Sequence, residues 1–274
     1  MAPRPGPVGE TRSPPNVQYL PSLALFFTLA ATIFAQNEAV NSLTDEEKAA
    51  GWKLLFDGKA APGLRGVQKS DFLKSGWAIK DGALVLAKDL KKMGKITGGD
   101  LTTTEAFLDF DFSFEWKLSV SANTGVRYLV RGSSGGSPAG FEYQLIDDVH
   151  HPEGLKGGPI RRTGALDGII PPSPAKQLNE PEHWNQGRIM VQGNHVEHWL
   201  NGLKVVEYEL GSRELMAAAQ AAKARVQAGF GTKFKSPLVI LDQGDEVSFR
   251  NLKIRLLAPT GSSATPGQPP PLRP

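Results

Sequence analysis

Residues 107–118 constrain the fold of this chain more than any other segment, because apolar and polar side chains alternate along them. One face would carry Leu108, Phe110, Phe112, Phe114, Trp116 and Leu118. The other face would carry Asp109, Asp111, Ser113, Glu115 and Lys117. A helix would scatter these apolar residues all round its axis, so the period of two predicts a β-strand with one buried face.

Two further segments predict β-hairpins. Residues 77–86 place Asp81-Gly82 between two apolar runs, and residues 195–210 place Asn201-Gly202 in the same way. Such two-residue turns need positive φ at both central positions, which these residue pairs tolerate.

The remaining patterns complete the predicted architecture. Apolar residues in 247–256 change phase after Phe249, which predicts a β-bulge at Arg250-Asn251. Helices are predicted only at 44–51 and 212–227, each with a capping residue at its start. Neither helix alternates with strands, which argues against a parallel α/β sheet. We therefore predict an all-β sandwich of antiparallel strands with minor helices.

The composition excludes several classes of protein. The chain has no cysteine, which excludes a disulfide framework, a thiolate zinc site and a cysteine nucleophile. The 31 Lys and Arg against 28 Asp and Glu give a net charge of +3, with no basic stripe of the kind that binds nucleic acid. No phosphate-binding glycine loop is present either. We expect no nucleic-acid partner and no nucleotide or organic cofactor.

Both ends of the chain differ from the body. Residues 13–37 contain no charge, and the apolar run at 23–34 is too short for a membrane span of about 20 residues but suits a signal peptide. Residues 1–35 are therefore predicted to be a cleaved secretory signal, with an uncleaved membrane anchor as the alternative. Residues 258–274 are rich in Pro, Gly, Ser and Thr and are predicted to be a disordered tail. We expect a secreted or periplasmic protein without a stable membrane span.

Eight short motifs follow one another along the body, and two of them read Asn-Thr-Gly-Val-Arg and Gly-Phe-Glu-Tyr-Gln. They lie at 52–58, 77–84, 123–127, 140–144, 163–165, 184–185, 200–202 and 249–251. In this order they resemble the 3-keto-disaccharide hydrolase family over about residues 50–257. Three positions depart from the family pattern: Leu241 and Gln243 stand where members usually have Gln and His, and Asp167 stands where many have Tyr.

The resemblance implies a concanavalin-like jelly roll over residues 36–257 that is exported and acts on 3-keto-glycosides. Some members are 3-keto-glucoside 1,2-lyases and hydratases of the resulting 2-hydroxy-glucal, and a divalent metal ion is expected in at least some of them. The implied partner is a small-molecule 3-keto-sugar or glycoside. Elimination from such a sugar needs a base for the C2 proton, a group that stabilises the enolate oxygen, and an acid for the leaving oxygen.

Alternation within 141–145 places Glu142 and Gln144 on one face, which we expect to be the open, concave side of a sheet. The same argument places Arg127 there. All five histidines lie close together in the sequence, at His150, His151, His183, His195 and His198. Histidine titrates near neutral pH and binds divalent metals.

The predicted catalytic residues are Glu142, His198, His150 and Asp147. The predicted substrate-binding residues are Arg127, Gln144, His151 and Asn123. The candidate metal ligands are Glu142, His198 and His150. His198 is included on family analogy. The alternative is a core histidine, because Val196, His198 and Leu200 share a face. A surface ion pair is the alternative for Arg127 and Glu142.

Two other functions stay open at this point. A sandwich of this kind can be a non-catalytic carbohydrate-binding module, because fold does not fix function. An ordinary endo-glycosidase would need two carboxylates facing each other across a cleft, which the sequence does not reveal.

Overall fold

The computed structural model describes residues 1–2, 39–67, 76–87, 99–134, 137–224, 226 and 228–259. The predicted signal peptide (1–35) lies outside the described residues except for residues 1–2, and the predicted tail (258–274) except for residues 258–259. The domain boundaries therefore stay predictions. Among the described helices, none is long and apolar enough to span a bilayer.

The described chain is dominated by short antiparallel strands. They are β1 (Lys53–Leu54), β2 (Leu64–Gly66), β3 (Trp77–Lys80), β4 (Ala83–Leu86), β5 (Leu101–Thr103), β6 (Phe110–Leu118), β7 (Asn123–Tyr128), β8 (Ser133–Ser134), β9 (Ser137–Pro138), β10 (Phe141–Ile146), β11 (Asn185–Gln192), β12 (His195–Leu200), β13 (Leu203–Glu209), β14 (Val239–Ile240) and β15 (Val247–Leu256). The helices are α1 (Asp45–Ala49), α2 (Pro152–Lys156) and α3 (Arg213–Ala221), with a 3₁₀ turn at Pro159–Arg161.

The strands form two large sheets that enclose the core. The eight-stranded sheet has the order β13-β12-β11-β6-β15-β4-β3, with β1 also paired to β15. The five-stranded sheet has the order β10-β7-β14-β5-β2. Side chains of both sheets meet in one apolar cluster, as where the ring of Phe114 meets that of Tyr143 edge-on at 5.7 Å between centroids. The predicted all-β, jelly-roll-like antiparallel sandwich is confirmed.

Strand β6 shows how the alternating pattern builds this core. From Phe110 to Leu118 every second side chain is buried between the sheets, as the period of two predicts. Leu108 is 40% exposed because the strand begins only at Phe110, so its assignment to the buried face was wrong. Asp111 on the other face is fully buried, because the guanidinium groups of Arg188 and Arg255 cover it.

The predicted turns are also present. Asp81 and Asn201 have φ of 50° and 47°, and the glycine after each is likewise left-handed. The register between β6 and β15 shifts after Arg250, where the bulge was expected. Helix α3 ends at Ala221 rather than near 227, and α2 was not predicted at all.

Candidate active site on the five-stranded sheet

Glu142 and Arg127 form an ion pair on the outer face of the five-stranded sheet. They are directly opposite each other on β10 and β7, and Arg127 Nε donates to Glu142 Oε2 over 2.8 Å. Their sequence neighbours Tyr143 and Tyr128 point the other way, into the core. The Glu142 side chain is only 8% exposed, so this pair is more enclosed than an ordinary surface salt bridge.

Gly125 leaves the room that the Glu142 carboxyl occupies. It pairs with Gln144 next to Glu142, and a Cβ built on it would lie 2.4 Å from Glu142 Oε1. A side chain at this position would therefore displace the carboxyl group.

A second carboxyl–guanidinium pair stands beside the first. The backbone N–H of Asp167 donates to the carbonyl of Glu142 over 2.9 Å, which fixes the loop against β10. Arg161 Nη1 donates to Asp167 Oδ2 over 2.7 Å, and Gln144 Nε2 lies 3.5 Å from Asp167 Oδ1. Two acids and two guanidinium groups are thus held together at one end of the sheet.

Burial changes the acidity of both carboxyl groups. It raises the pKa of Glu142 to about 7, against the opposing charge of Arg127, and the nearby Asp167 carboxylate adds to the rise. Burial also raises the pKa of Asp167 above its usual range, with Arg161 opposing the shift. Because two close carboxylates resist ionising together, the pair is suited to hold one proton between them near neutral pH.

A cavity of about 650 Å³ opens over these groups. The four charged residues Arg127, Glu142, Arg161 and Asp167 form part of its wall. The rest is mostly apolar and comes from described residues within 129–141, 160–169 and 222–234. A concave pocket that combines apolar walls with convergent charged groups is the usual form of a small-molecule site.

Gln144 and Asn123 share the sheet face with Glu142, but neither is among the described residues that line the cavity. Gln144 Oε1 accepts from the backbone N–H of Leu145 over 3.1 Å. Asn123 Nδ2 donates to Glu153 over 3.2 Å, while its buried Oδ1 has no hydrogen-bond partner among the described residues. Both belong to the surroundings of the cavity rather than to its wall.

His198 lies on the other side of the sheet, so the prediction that it joins Glu142 was wrong. It is fully buried between the two sheets, with Nε2 2.6 Å from the hydroxyl of Tyr128 and Nδ1 3.1 Å from the carbonyl of Gly164. Since that carbonyl can only accept, Nδ1 carries the proton and Nε2 accepts from Tyr128. Neither nitrogen is left for a metal or a substrate, and His198 is a core histidine.

Asp147, His150 and His151 shape a loop rather than line the cavity. Asp147 accepts from the backbone N–H groups of Ser121, Val149 and His150, and from His150 Nδ1 over 2.8 Å. His151 caps helix α2 by accepting from the N–H of Glu153. The predicted catalytic and binding roles of these three residues do not match these contacts.

The candidate metal ligands Glu142, His198 and His150 do not fit one ion, because they lie on the outer face, in the core and on a loop. Another group fits the geometry better: ligand atoms of His195, Glu197 and Glu207 lie within 4.8 Å of one another. That group is on strands β12 and β13 of the eight-stranded sheet, and Lys204 already pairs with both glutamates. Among the described residues, no such group of three histidine or carboxylate ligands lies in the cavity.

The sequence did not predict that Arg161 and Asp167 belong to the cavity wall. Asp167 was noticeable only as a departure from the family pattern. Its position depends on a backbone contact to Glu142 and on Arg161, which no periodicity encodes.

Comparison with known proteins agrees with the fold and with the order of the motifs. A 3-keto-disaccharide hydrolase of Bacteroides thetaiotaomicron is 30% identical over 243 residues, covering 80% of this chain and 82% of that protein. The crystal structure of a candidate glycosyl hydrolase from Parabacteroides distasonis has a TM-score of 0.69 at 30% identity, covering 80% of this chain and 100% of that chain. A second structure from that organism, at 24% identity and a TM-score of 0.58, covers 75% of this chain and 99% of its own and supports the fold alone.

The family model for 3-keto-α-glucoside-1,2-lyase-like domains matches residues 51–255, which include both sheets and the cavity. The predicted resemblance is confirmed, and the chain belongs to this family of carbohydrate-processing domains.

Proposed function

We propose that this protein cleaves 3-keto-glycosides by 1,2-elimination and then adds water to the resulting 3-keto-2-hydroxy-glucal, which is a net hydrolysis. The observation that carries the proposal is the carboxyl pair in the cavity, in which Glu142 is buried, Asp167 is partly buried and each is held by a guanidinium group. Family membership supplies the class of substrate.

Glu142 is the proposed base. A keto group at C3 makes the C2 proton acidic, because the electron pair left at C2 delocalises onto the C3 oxygen. The ionised carboxylate accepts that proton, and its raised pKa makes it a stronger base than an exposed glutamate. Arg127 beside it offers N–H donors to the enolate oxygen.

Asp167 is the proposed acid. When the enolate reforms the C3 carbonyl, a double bond forms between C1 and C2, and the bond from C1 to the leaving oxygen breaks. That oxygen takes a proton from Asp167; the two carboxyl groups share one proton, and the elimination draws on the state in which Asp167 holds it and Glu142 is ionised. In the hydration step the roles reverse: Asp167 takes a proton from water as the water adds to C1, and Glu142, whose carboxyl proton has exchanged with solvent, gives a proton to C2.

The experiment is to incubate the protein with a 3-keto-glucoside and with the unmodified glucoside, in deuterated water. We expect loss of the keto-glucoside, deuterium at C2 of the product, and no cleavage of the unmodified glucoside. Equal cleavage of both substrates without deuterium at C2 would point to an ordinary glycosidase and contradict the proposal.

A carbohydrate-binding module is the second candidate. The positions where the family usually has Gln and His are Leu241 and Gln243 here, so two polar groups of the family pattern are changed. Leu241 is buried beside Gly125, whose carbonyl accepts from its N–H, and Gln243 is exposed. Binding of the keto-glucoside without turnover would favour this candidate.

Export is also part of the proposal, and it is supported only by the uncharged stretch at 13–37 with its apolar centre. Expression in a bacterial host followed by N-terminal sequencing of the mature protein tests it. We expect the mature chain to begin at Gln36, and a Leu25→Arg variant to remain uncleaved inside the cell. A wild-type chain that keeps its first residues in the cytoplasm would refute export.

A further inference from the structure

We infer that the apolar part of the cavity is a subsite for a flat, apolar leaving group, so that the preferred substrates are aryl or arylalkyl 3-keto-glycosides rather than disaccharides. This inference rests on the proposed function. It concerns the part of the glycoside that departs, whereas Glu142 and Asp167 act on the sugar ring.

Phe230 forms a fixed aromatic wall in this part of the cavity. It lies on the segment that follows α3 and stacks on Phe141 of β10, with 4.9 Å between ring centroids and 20° between planes. Phe141 in turn stacks on Tyr208 of β13 at 5.8 Å. The Phe230 ring is therefore held by the core and offers a pre-organised surface, at little entropic cost, to a planar group.

Other apolar side chains extend this wall. Phe234 lies under the guanidinium of Arg131, 5.0 Å from its ring centroid. Aliphatic surface comes from Leu129, Ile160 and Ile169. Each of them is within two positions in the chain of a charged residue of the wall.

The polar groups in the wall argue against a second sugar. Among the described lining residues, Glu142 and Asp167 are the only side chains that accept hydrogen bonds, and the proposed reaction uses both. The remaining polar side chains of the described wall, Arg127, Arg131, Arg161 and Lys223, only donate. A sugar ring bound against this wall would find no free side-chain acceptor for its hydroxyl protons and would depend on backbone carbonyls or water for them. An aryl group has no such protons.

The test compares benzyl 3-keto-β-glucoside with 3-keto-cellobiose, and the corresponding pair of α-glycosides. Both members of a pair release an alcohol, so the leaving groups are chemically similar and a difference reports binding. We expect kcat/KM to be at least about 10-fold higher for the benzyl substrate, which corresponds to about 1.4 kcal/mol.

Two variants locate the subsite. Phe230→Ala should lower kcat/KM for the benzyl substrate about 10-fold and for the disaccharide less than about 3-fold, the size expected when one apolar contact is lost. Val226→Asp places a charge at a lining residue that is 44% exposed, so the fold should tolerate it, and the same selective loss is expected. Val120→Asp is the matched control, since Val120 is 52% exposed and is not among the described lining residues.

The outcomes separate the two proposals. If none of the four substrates is turned over, the proposed function fails. If both members of a pair are turned over and Val226→Asp leaves their ratio of kcat/KM unchanged, the aryl subsite is refuted and the proposed function survives. Calorimetry with unmodified benzyl β-glucoside and cellobiose gives a test without turnover: tighter binding of cellobiose, or equal binding by the wild type and Phe230→Ala, would overturn the inference.

Discussion

In the proposed mechanism Glu142 must ionise, although its buried position favours the neutral form of the carboxyl group. Its folded-state pKa of about 7 lies above the usual 4.5, so its contribution to stability is full below pH 4.5 and is lost as the pH rises through 7. The wild-type protein therefore carries a cost at pH 8 that a neutral side chain avoids. Such a cost is typical of catalytic groups.

The first prediction follows from the raised pKa of Glu142. Glu142→Gln should lower kcat at least about 100-fold, as expected for loss of a general base. Its Tm at pH 8 should be equal to or above that of the wild type, because the buried charge is gone. Turnover and thermal unfolding check both expectations, with Glu214→Gln on the exposed face of α3 as a control that keeps activity. A variant with wild-type turnover would remove Glu142 from the mechanism.

The pH dependence of kcat provides the second prediction. Activity should rise as the carboxyl pair of Glu142 and Asp167 loses its first proton and fall at higher pH as it loses its second, since burial raises both pKa values and the two carboxylates resist ionising together. Asp167→Asn should abolish the alkaline fall and lower kcat for substrates with poor leaving groups. A pH–rate profile of both proteins measures this. An unchanged alkaline limb in the variant would mean that another group is the acid.

The third prediction concerns Gly125, whose missing side chain leaves room for the Glu142 carboxyl group. The methyl group of Gly125→Ala would lie 2.4 Å from Glu142 Oε1, so the carboxyl has to move. Misplacement of a base by about 1 Å costs up to about 100-fold in rate. We expect kcat to fall by about 10-fold to 100-fold with a smaller change in KM, and steady-state kinetics would show it. If KM rises while kcat is unchanged, Gly125 shapes substrate binding instead.

At the level of the strands, alternation predicted which residues share a face but not what that face meets. It grouped His198 with Val196 and Leu200, and those two are core residues, so the pattern itself indicated a core histidine. The family analogy pointed to the active site and was wrong. The pairing of Glu142 with Arg127 across β10 and β7 follows the same alternation and is present in the structure. The Arg161 and Asp167 loop has no periodicity, since tertiary contacts define it.

The fourth prediction is that the buried His198 makes the folded protein less stable at acid pH. Burial lowers its pKa to about 4, so its contribution to stability is full above pH 6.5 and is lost as the pH falls toward 4. The corresponding loss is at most about 3 kcal/mol. Denaturant unfolding at pH 7.5 and 4.5 should show it, and His198→Gln should reduce the difference. An exposed-histidine control, His183→Gln, should leave the difference unchanged.

Across the whole molecule, the two sheets present different chemistry on their outer faces. The five-stranded sheet carries the cavity with its carboxyl pair. The eight-stranded sheet carries guanidinium groups over aromatic rings, as with Arg250 at 4.1 Å from the ring centroid of Trp184, and the group of His195, Glu197 and Glu207. The residues best placed to bind a metal are therefore on a different sheet from the proposed reaction.

The last prediction follows from the separation of the candidate metal ligands from the cavity. A metal bound by His195, Glu197 and Glu207 should not affect turnover, because in the proposed elimination Arg127 stabilises the enolate oxygen and Asp167 supplies the proton. Treatment with a chelator should leave kcat unchanged, and His195→Ala should remove any zinc binding seen by calorimetry without changing kcat. If the chelator abolishes turnover and an added divalent ion restores it in both the wild type and His195→Ala, a metal acts at the cavity. The proposed roles of Arg127 in stabilising the enolate and of Asp167 as the acid would then be wrong.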